Sequence, residues 1–123
     1  MASSAKLLGA GLALGRIAIG AGLWIAPQPT ARALGFDRVD TRALMLGRIA
    51  ATRDLVLGIW QLASIDDPAA LRRVSAAAAV ADAGDTLTFA LAAAGGDERE
   101  AGMRGVAVAL PATLAGLWLS TQA

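Results

Sequence analysis

The chain has 123 residues, 56% apolar and 17% charged, with a net charge of +1 and a mean hydropathy of +0.57. That is enough for one small helical domain but too little charge to coat a soluble one, which favours a membrane protein. The 4% aromatic content, without a basic run, argues against nucleic acid as a partner, and the lack of Cys and His removes disulfides, imidazole bases and most zinc or haem ligation.

Lys6 is the only lysine and lies in the N-terminal tail, so a buried Schiff base is excluded. No glycine-rich phosphate loop occurs. No cofactor and no metal are expected, and any chemistry must rest on Asp, Arg, Thr, Ser, Gln, Trp or backbone groups.

In chain order, the first apolar run is Leu7 to Ala26, interrupted only by Arg16. At about 1.5 Å per residue it covers roughly 30 Å, the thickness of a bilayer's hydrocarbon. Pro27 and Pro29 stop it. The connection that follows holds a short interfacial turn over Thr30 to Leu34, closed by Gly35, and Asp40 caps the second helix. The second run, Ala43 to Ala63, contains Arg48, Arg53 and Asp54. Asp67 and Pro68 read as cap and first residue of a third helix. Its span covers residues 70–94, with an alanine-rich body from Val74 to Ala94, and it ends at Gly95-Gly96. Asp97 and Glu100 have capping-box spacing, and the last apolar run is Ala101 to Leu119. Short connections make consecutive helices antiparallel neighbours. The expected fold is all-α, a single membrane-embedded antiparallel four-helix bundle with both termini on one side.

Two alternatives compete with that reading. The first run, with Lys6 ahead and Ala31-Arg32-Ala33 behind, faintly resembles a signal peptide, although its length and internal arginine argue otherwise. A soluble alanine-rich bundle would expose long apolar faces and aggregate. Arg32, Arg38, Arg42, Arg99 and Arg104 fall on one side and Lys6, Arg72 and Arg73 on the other, which weakly puts the five-arginine side in the cytoplasm. Trp24, Trp60 and Trp118 lie near the ends of spans, as interfacial anchors do.

The midpoint of the first span falls at Arg16, that of the second at Arg53 beside Asp54, and that of the third between Asp82 and Asp85. Charges from three helices should therefore meet at one depth. Arg48 stands about 9 Å from Asp54 along its helix, a gap that guanidinium reach narrows. Left unpaired, the six would cost roughly 15–20 kcal/mol to insert, so pairing is expected. Asp82 and Asp85 share a helical face, in a stripe with Ser75, Ala78, Thr86 and Phe89. Gly11-x-x-x-Gly15 and the series Gly47, Ala51, Asp54, Gly58 are expected helix-contact faces. Pro111 should free the Ala107 carbonyl, which a kink could turn to the interior. Leu14-Gly-Arg-Ile-Ala18 recurs at Leu46–Ala50, a match that an inverted repeat or chance would produce.

At Leu46-Gly-Arg-Ile-Ala-Ala-Thr-Arg-Asp54, followed by Gly58 and Asp82-Ala-Gly-Asp85, the chain resembles a bacterial family of small, uncharacterised four-span membrane proteins related to the DoxX-like group. The resemblance implies the bundle fold and a multi-pass place in the bacterial cytoplasmic (inner) membrane. It implies no reaction.

Three functions fit the residues. The first is a non-catalytic accessory or lipophile-binding bundle whose charges fix helix register. Its partners would be the lipid bilayer, a lipophilic small molecule, a second copy or a larger membrane complex. The second is a membrane-embedded isomerase or cyclase of an isoprenoid-like molecule. There Asp82 or Asp85 donates a proton, the other or Asp54 receives one, Arg16, Arg48 and Arg53 orient them, and Phe89 faces a cationic intermediate. It requires a midplane aspartate free of arginine beside a hydrocarbon-lined cavity. The third is proton or ion translocation by an oligomer through the same carboxylates.

Overall fold

The computed structural model describes residues 2–37, 39–96 and 98–122. They form five α-helices: α1 (Ser3–Ile25), α2 (Pro27–Ala33), α3 (Thr41–Ala63), α4 (Pro68–Gly95) and α5 (Arg99–Ser120). No strand occurs among the described residues. Three helices, α1, α4 and α5, are long and apolar enough to cross a membrane. Helix α3 matches α1 in length at 23 residues but carries Arg42, Arg48, Arg53 and Asp54 within it.

The breaks between helices follow local chemistry. Pro27 both ends α1 and opens α2 at its first position, where a missing N–H costs nothing. The expected turn over Thr30 to Leu34 is thus the second half of a short helix. Gly35 closes it at φ +99°, a left-handed conformation that leaves room for the Arg104 side chain. Asp40 accepts from Ala43 N at 2.8 Å and Asp67 from Ala70 N at 3.0 Å, so both act as N-caps. Gly96, at φ +90°, ends α4. Asp97, expected to open a capping box with Glu100, lies outside the described residues.

Residues distant in sequence show how the long helices run. Gly20 meets Ala51 and Leu55, while Gly58 meets Ala13 and Ile17, so α1 and α3 are antiparallel. Gly102 lies on Ala93 and Gly116 on Ala79, so α4 and α5 are antiparallel too. These two pairings are the most intimate, and α3 with α4 and α1 with α5 meet more sparsely. Added Cβ atoms at Gly20 and Gly58 would stand 2.8 Å from the Ala51 and Ala13 carbonyl oxygens. Glycine is what lets these backbones approach. On α1, however, the contact face is Gly9, Ala13, Arg16 and Gly20, because Gly11 and Gly15 have open space around them. The expected Gly11-x-x-x-Gly15 face is therefore corrected by one helical phase. Gly47 is likewise open, whereas Ala51 and Gly58 are packed.

Polarity runs inside out. The interior holds Ala5, Ala13, Ala51, Ala78 and Ala79 together with Arg16, Gln61, Ser75 and Asp82, while Ile25, Leu7, Val80 and Leu46 are 84%, 74%, 74% and 68% exposed. Leu71, Val74 and Leu119 are buried too, but in water such an arrangement would forfeit the transfer free energy of each large side chain left outside, roughly 1.5–3 kcal/mol apiece. Against hydrocarbon it costs nothing. Pro111 and Ala107 are both on the exposed side of α5, so the carbonyl that Pro111 releases does not line the interior.

Candidate functional site

Five of the six charged residues singled out in the sequence come together where α1, α3 and α4 meet. Arg16, from α1, forms a two-pronged hydrogen-bonded pair with Asp82 of α4: Nη1 donates to Oδ1 at 2.9 Å and Nη2 donates to Oδ2. Arg53, from α3, grips Asp85 in the same way, at 3.0 and 2.7 Å. Asp54 lies between them, with Oδ1 3.8 Å from Arg16 Nη1 and 3.5 Å from Arg53 Nη2. Two guanidiniums thus face three carboxylates across three helices. Forked pairing of this kind is charge-assisted, matches the planar guanidinium to the carboxylate, and cannot be reproduced by lysine.

Burial divides the cluster. The side chains of Arg16 and Asp82 are 8% and 7% exposed, those of Arg53 and Asp85 37% and 30%. The Arg16–Asp82 pair is accordingly a buried salt bridge, and the outer pair is half-open. The Nε atoms of Arg16 and Arg53 are buried without a hydrogen-bond partner.

Arg48 does not join this group. It is exposed, and its guanidinium lies 5.2 Å over the centre of the Trp24 ring. The reason is rotational: Arg48 and Asp54 are six positions apart, and at about 100° per residue they point about 120° away from each other around α3. Thr86 is within the α4 wall, where its hydroxyl donates to the Asp82 carbonyl at 2.7 Å and stands 3.4 Å from Thr113 of α5. Phe89 is farther along α4, against Gly105 and 6.4 Å from the Phe36 ring, and it touches none of the carboxylates.

Three buried polar residues, Gln61, Ser64 and Thr113, are not singled out by the sequence. Gln61 is fully buried and donates to Ser75 at 3.2 Å, while its Oε1 has no partner. It stands seven residues after Asp54, which places both on one face of α3; that spacing was the available signal. Gln61→Leu removes the orphaned carbonyl but strands the buried Ser75 hydroxyl, so it is expected to cost about 1–3 kcal/mol. Gln61→Leu/Ser75→Ala, which removes both partners, should stay within about 1 kcal/mol of the parent. Thermal unfolding in detergent would measure this.

A surface depression of about 460 Å³ is lined by Arg99, Glu100, Met103, Arg104 and Ala107. These residues follow one outer face of α5, and none belongs to the charged cluster. Among the described residues, no three carboxylates are arranged to hold a metal ion. Chemically, the cluster can hold three helices in one register. It leaves neither Asp82 nor Asp85 an oxygen without a guanidinium contact. Comparison with protein families, curated proteins and solved structures produced no match.

Proposed function

We propose that this chain is a small, non-catalytic integral membrane protein, an accessory or lipophile-binding helical bundle whose Arg/Asp cluster is structural. The observation that carries the reading is the two-pronged engagement of both Asp82 and Asp85 by Arg16 and Arg53. An acid–base catalyst would need a midplane aspartate free of arginine beside a cavity, but Asp54 too stands within 3.8 Å of both guanidiniums, and the α5 depression is lined by none of the three aspartates. The exposed Leu, Ile and Val side chains support lipid as the surrounding solvent.

In this proposal α3 is a fourth crossing, although its composition alone does not qualify it. Its midplane charges, Arg53 and Asp54, are met by α1 and α4, so most of the cost of inserting them is carried by the assembly and not by the helix. The DoxX-like resemblance and a place in a bacterial cytoplasmic membrane belong to the same proposal.

The absence of cysteine makes topology directly measurable. Single cysteines at Ser4, Asp37 and Thr121, labelled in sealed vesicles with a membrane-impermeant maleimide, distinguish four crossings from three. Four crossings put Ser4 and Thr121 on one side and Asp37 on the other. Termini on opposite sides would overturn the fourth crossing, and release of the protein by alkaline carbonate would overturn the membrane reading itself.

A further inference from the structure

Arg48 is a cation on an otherwise apolar outer surface, with Met45, Leu46 and Ile49 exposed around it. Among the described residues it makes no ion pair, and no side chain or carbonyl accepts from its guanidinium. A guanidinium keeps its charge under all ordinary conditions, so at a membrane boundary it must find an anion. Its place is set by Trp24. Trp24 Nε1 donates to Thr52 Oγ1 at 3.2 Å, Thr52 donates in turn to the Arg48 backbone carbonyl at 2.9 Å, and the guanidinium carbon lies 5.2 Å over the centre of the ring so held. A cation–π contact of this kind uses no N–H acceptor and leaves the guanidinium free to donate.

Depth identifies the anion. Trp24 is eight residues beyond Arg16 on α1, about 12 Å along the axis. With the charged cluster at mid-depth, that level falls near the edge of a hydrocarbon layer roughly 15 Å thick on each side. Lipid phosphates begin there. Arg32, Arg42 and Arg104 belong to the same end of the molecule, since Arg104 lies against Gly35 in the α2–α3 connection, and they add a favourable field.

We propose that Arg48, over the Trp24 ring that Thr52 holds in place, binds the phosphate of an anionic lipid headgroup, while Met45, Leu46 and Ile49 contact its acyl chains. The proposal rests on the membrane reading above. Each phosphate oxygen would accept from one N–H of the guanidinium edge, the fork geometry that arginine shares with phosphate.

The test is native mass spectrometry of the intact protein in detergent, titrated with phosphatidylglycerol, diacylglycerol or inorganic phosphate. The parent should retain one phosphatidylglycerol at least tenfold more tightly than Arg48→Gln, and Trp24→Leu should fall between them. Diacylglycerol should not be retained, inorganic phosphate should not compete, and Arg73→Gln, at the opposite end, should bind as the parent does. Affinity for phosphatidylglycerol unchanged within twofold in Arg48→Gln would overturn the proposal. So would competition by inorganic phosphate at equal concentration, which would indicate a free-anion site. Loss of a dimer in Arg48→Gln, with no lipid retained by the parent, would overturn it in favour of a carboxylate from a second copy. Failure of the membrane reading is distinct, because the parent would then be monodisperse without detergent.

Discussion

Arg16→Leu is expected to destabilise the folded protein by about 3–5 kcal/mol, the cost of leaving a buried charge without its partner. The variant strands Asp82, whose side chain is 7% exposed, and leaves Arg53 alone to face three carboxylates. The reverse deletion should be milder. In Asp82→Leu, Arg16 still has Asp54 at 3.8 Å, and two guanidiniums then balance two carboxylates. A loss about half as large is expected. The double variant Arg16→Leu/Asp82→Leu should recover most of what Arg16→Leu loses, since well-packed apolar pairs replace buried ion pairs with little or no cost. Reversible unfolding in mixed micelles, arranged as a double-mutant cycle, measures all three. Equal losses in the two single variants would show that Asp54 does not share Arg16. The double variant also addresses function: if it folds, it should rescue whatever defect a deletion strain shows. A well-folded double variant without cellular function would sink the structural reading of the cluster.

Gly58→Leu is expected to force α1 away from α3. A Cβ at this position would already stand 2.8 Å from the Ala13 carbonyl oxygen and from Ile17, and 3.1 Å from the Cβ of Arg16. The carbonyl belongs to a helix backbone and cannot turn aside. Overpacking alone costs about 1–3 kcal/mol, and here displacement of α1 also withdraws Arg16 from Asp82, so the loss should reach the upper end of that range or pass it. Gly47→Leu on the same helix, with nothing within 4 Å, should unfold at the parent's temperature. That comparison separates crowding from any general intolerance of α3 to leucine.

Much of the architecture was legible because it depends on residues whose chemistry is local or whose cost is large. Pro27, Asp40, Asp67 and Gly96 mark helix ends through backbone constraints that no tertiary context removes. Arg16, Arg53, Asp54, Asp82 and Asp85 were legible as a group because equal depth in equal spans leaves them few partners. Rotation about each helix axis was not legible. Where a helix is apolar nearly all round, no polar face sets its phase, and so Gly11 and Gly15 looked as suitable for contact as Gly9 and Gly20. On α3 the turn of about 100° per residue does spread Arg48, Arg53 and Asp54 around the axis, but it does not tell which neighbour each meets, and Arg48 meets Trp24. Gln61 went unnoticed because a single amide near the end of an apolar run resembles a boundary residue.

The sharing of Asp54 between two guanidiniums bears on how the polypeptide enters the bilayer during synthesis. In the proposed four-crossing topology, α3 leaves the ribosome before Asp82 and Asp85 exist. Arg48, Arg53 and Asp54 would together oppose its release into lipid by about 8–10 kcal/mol, and α1 is then the one neighbour bearing a countercharge. In that order of events Arg16 would hold Asp54 first and pass to Asp82 once α4 arrives, keeping Asp54 at the 3.8 Å contact. Helix α3 would wait beside the insertion machinery, docked on α1, until Arg53 is met by Asp85.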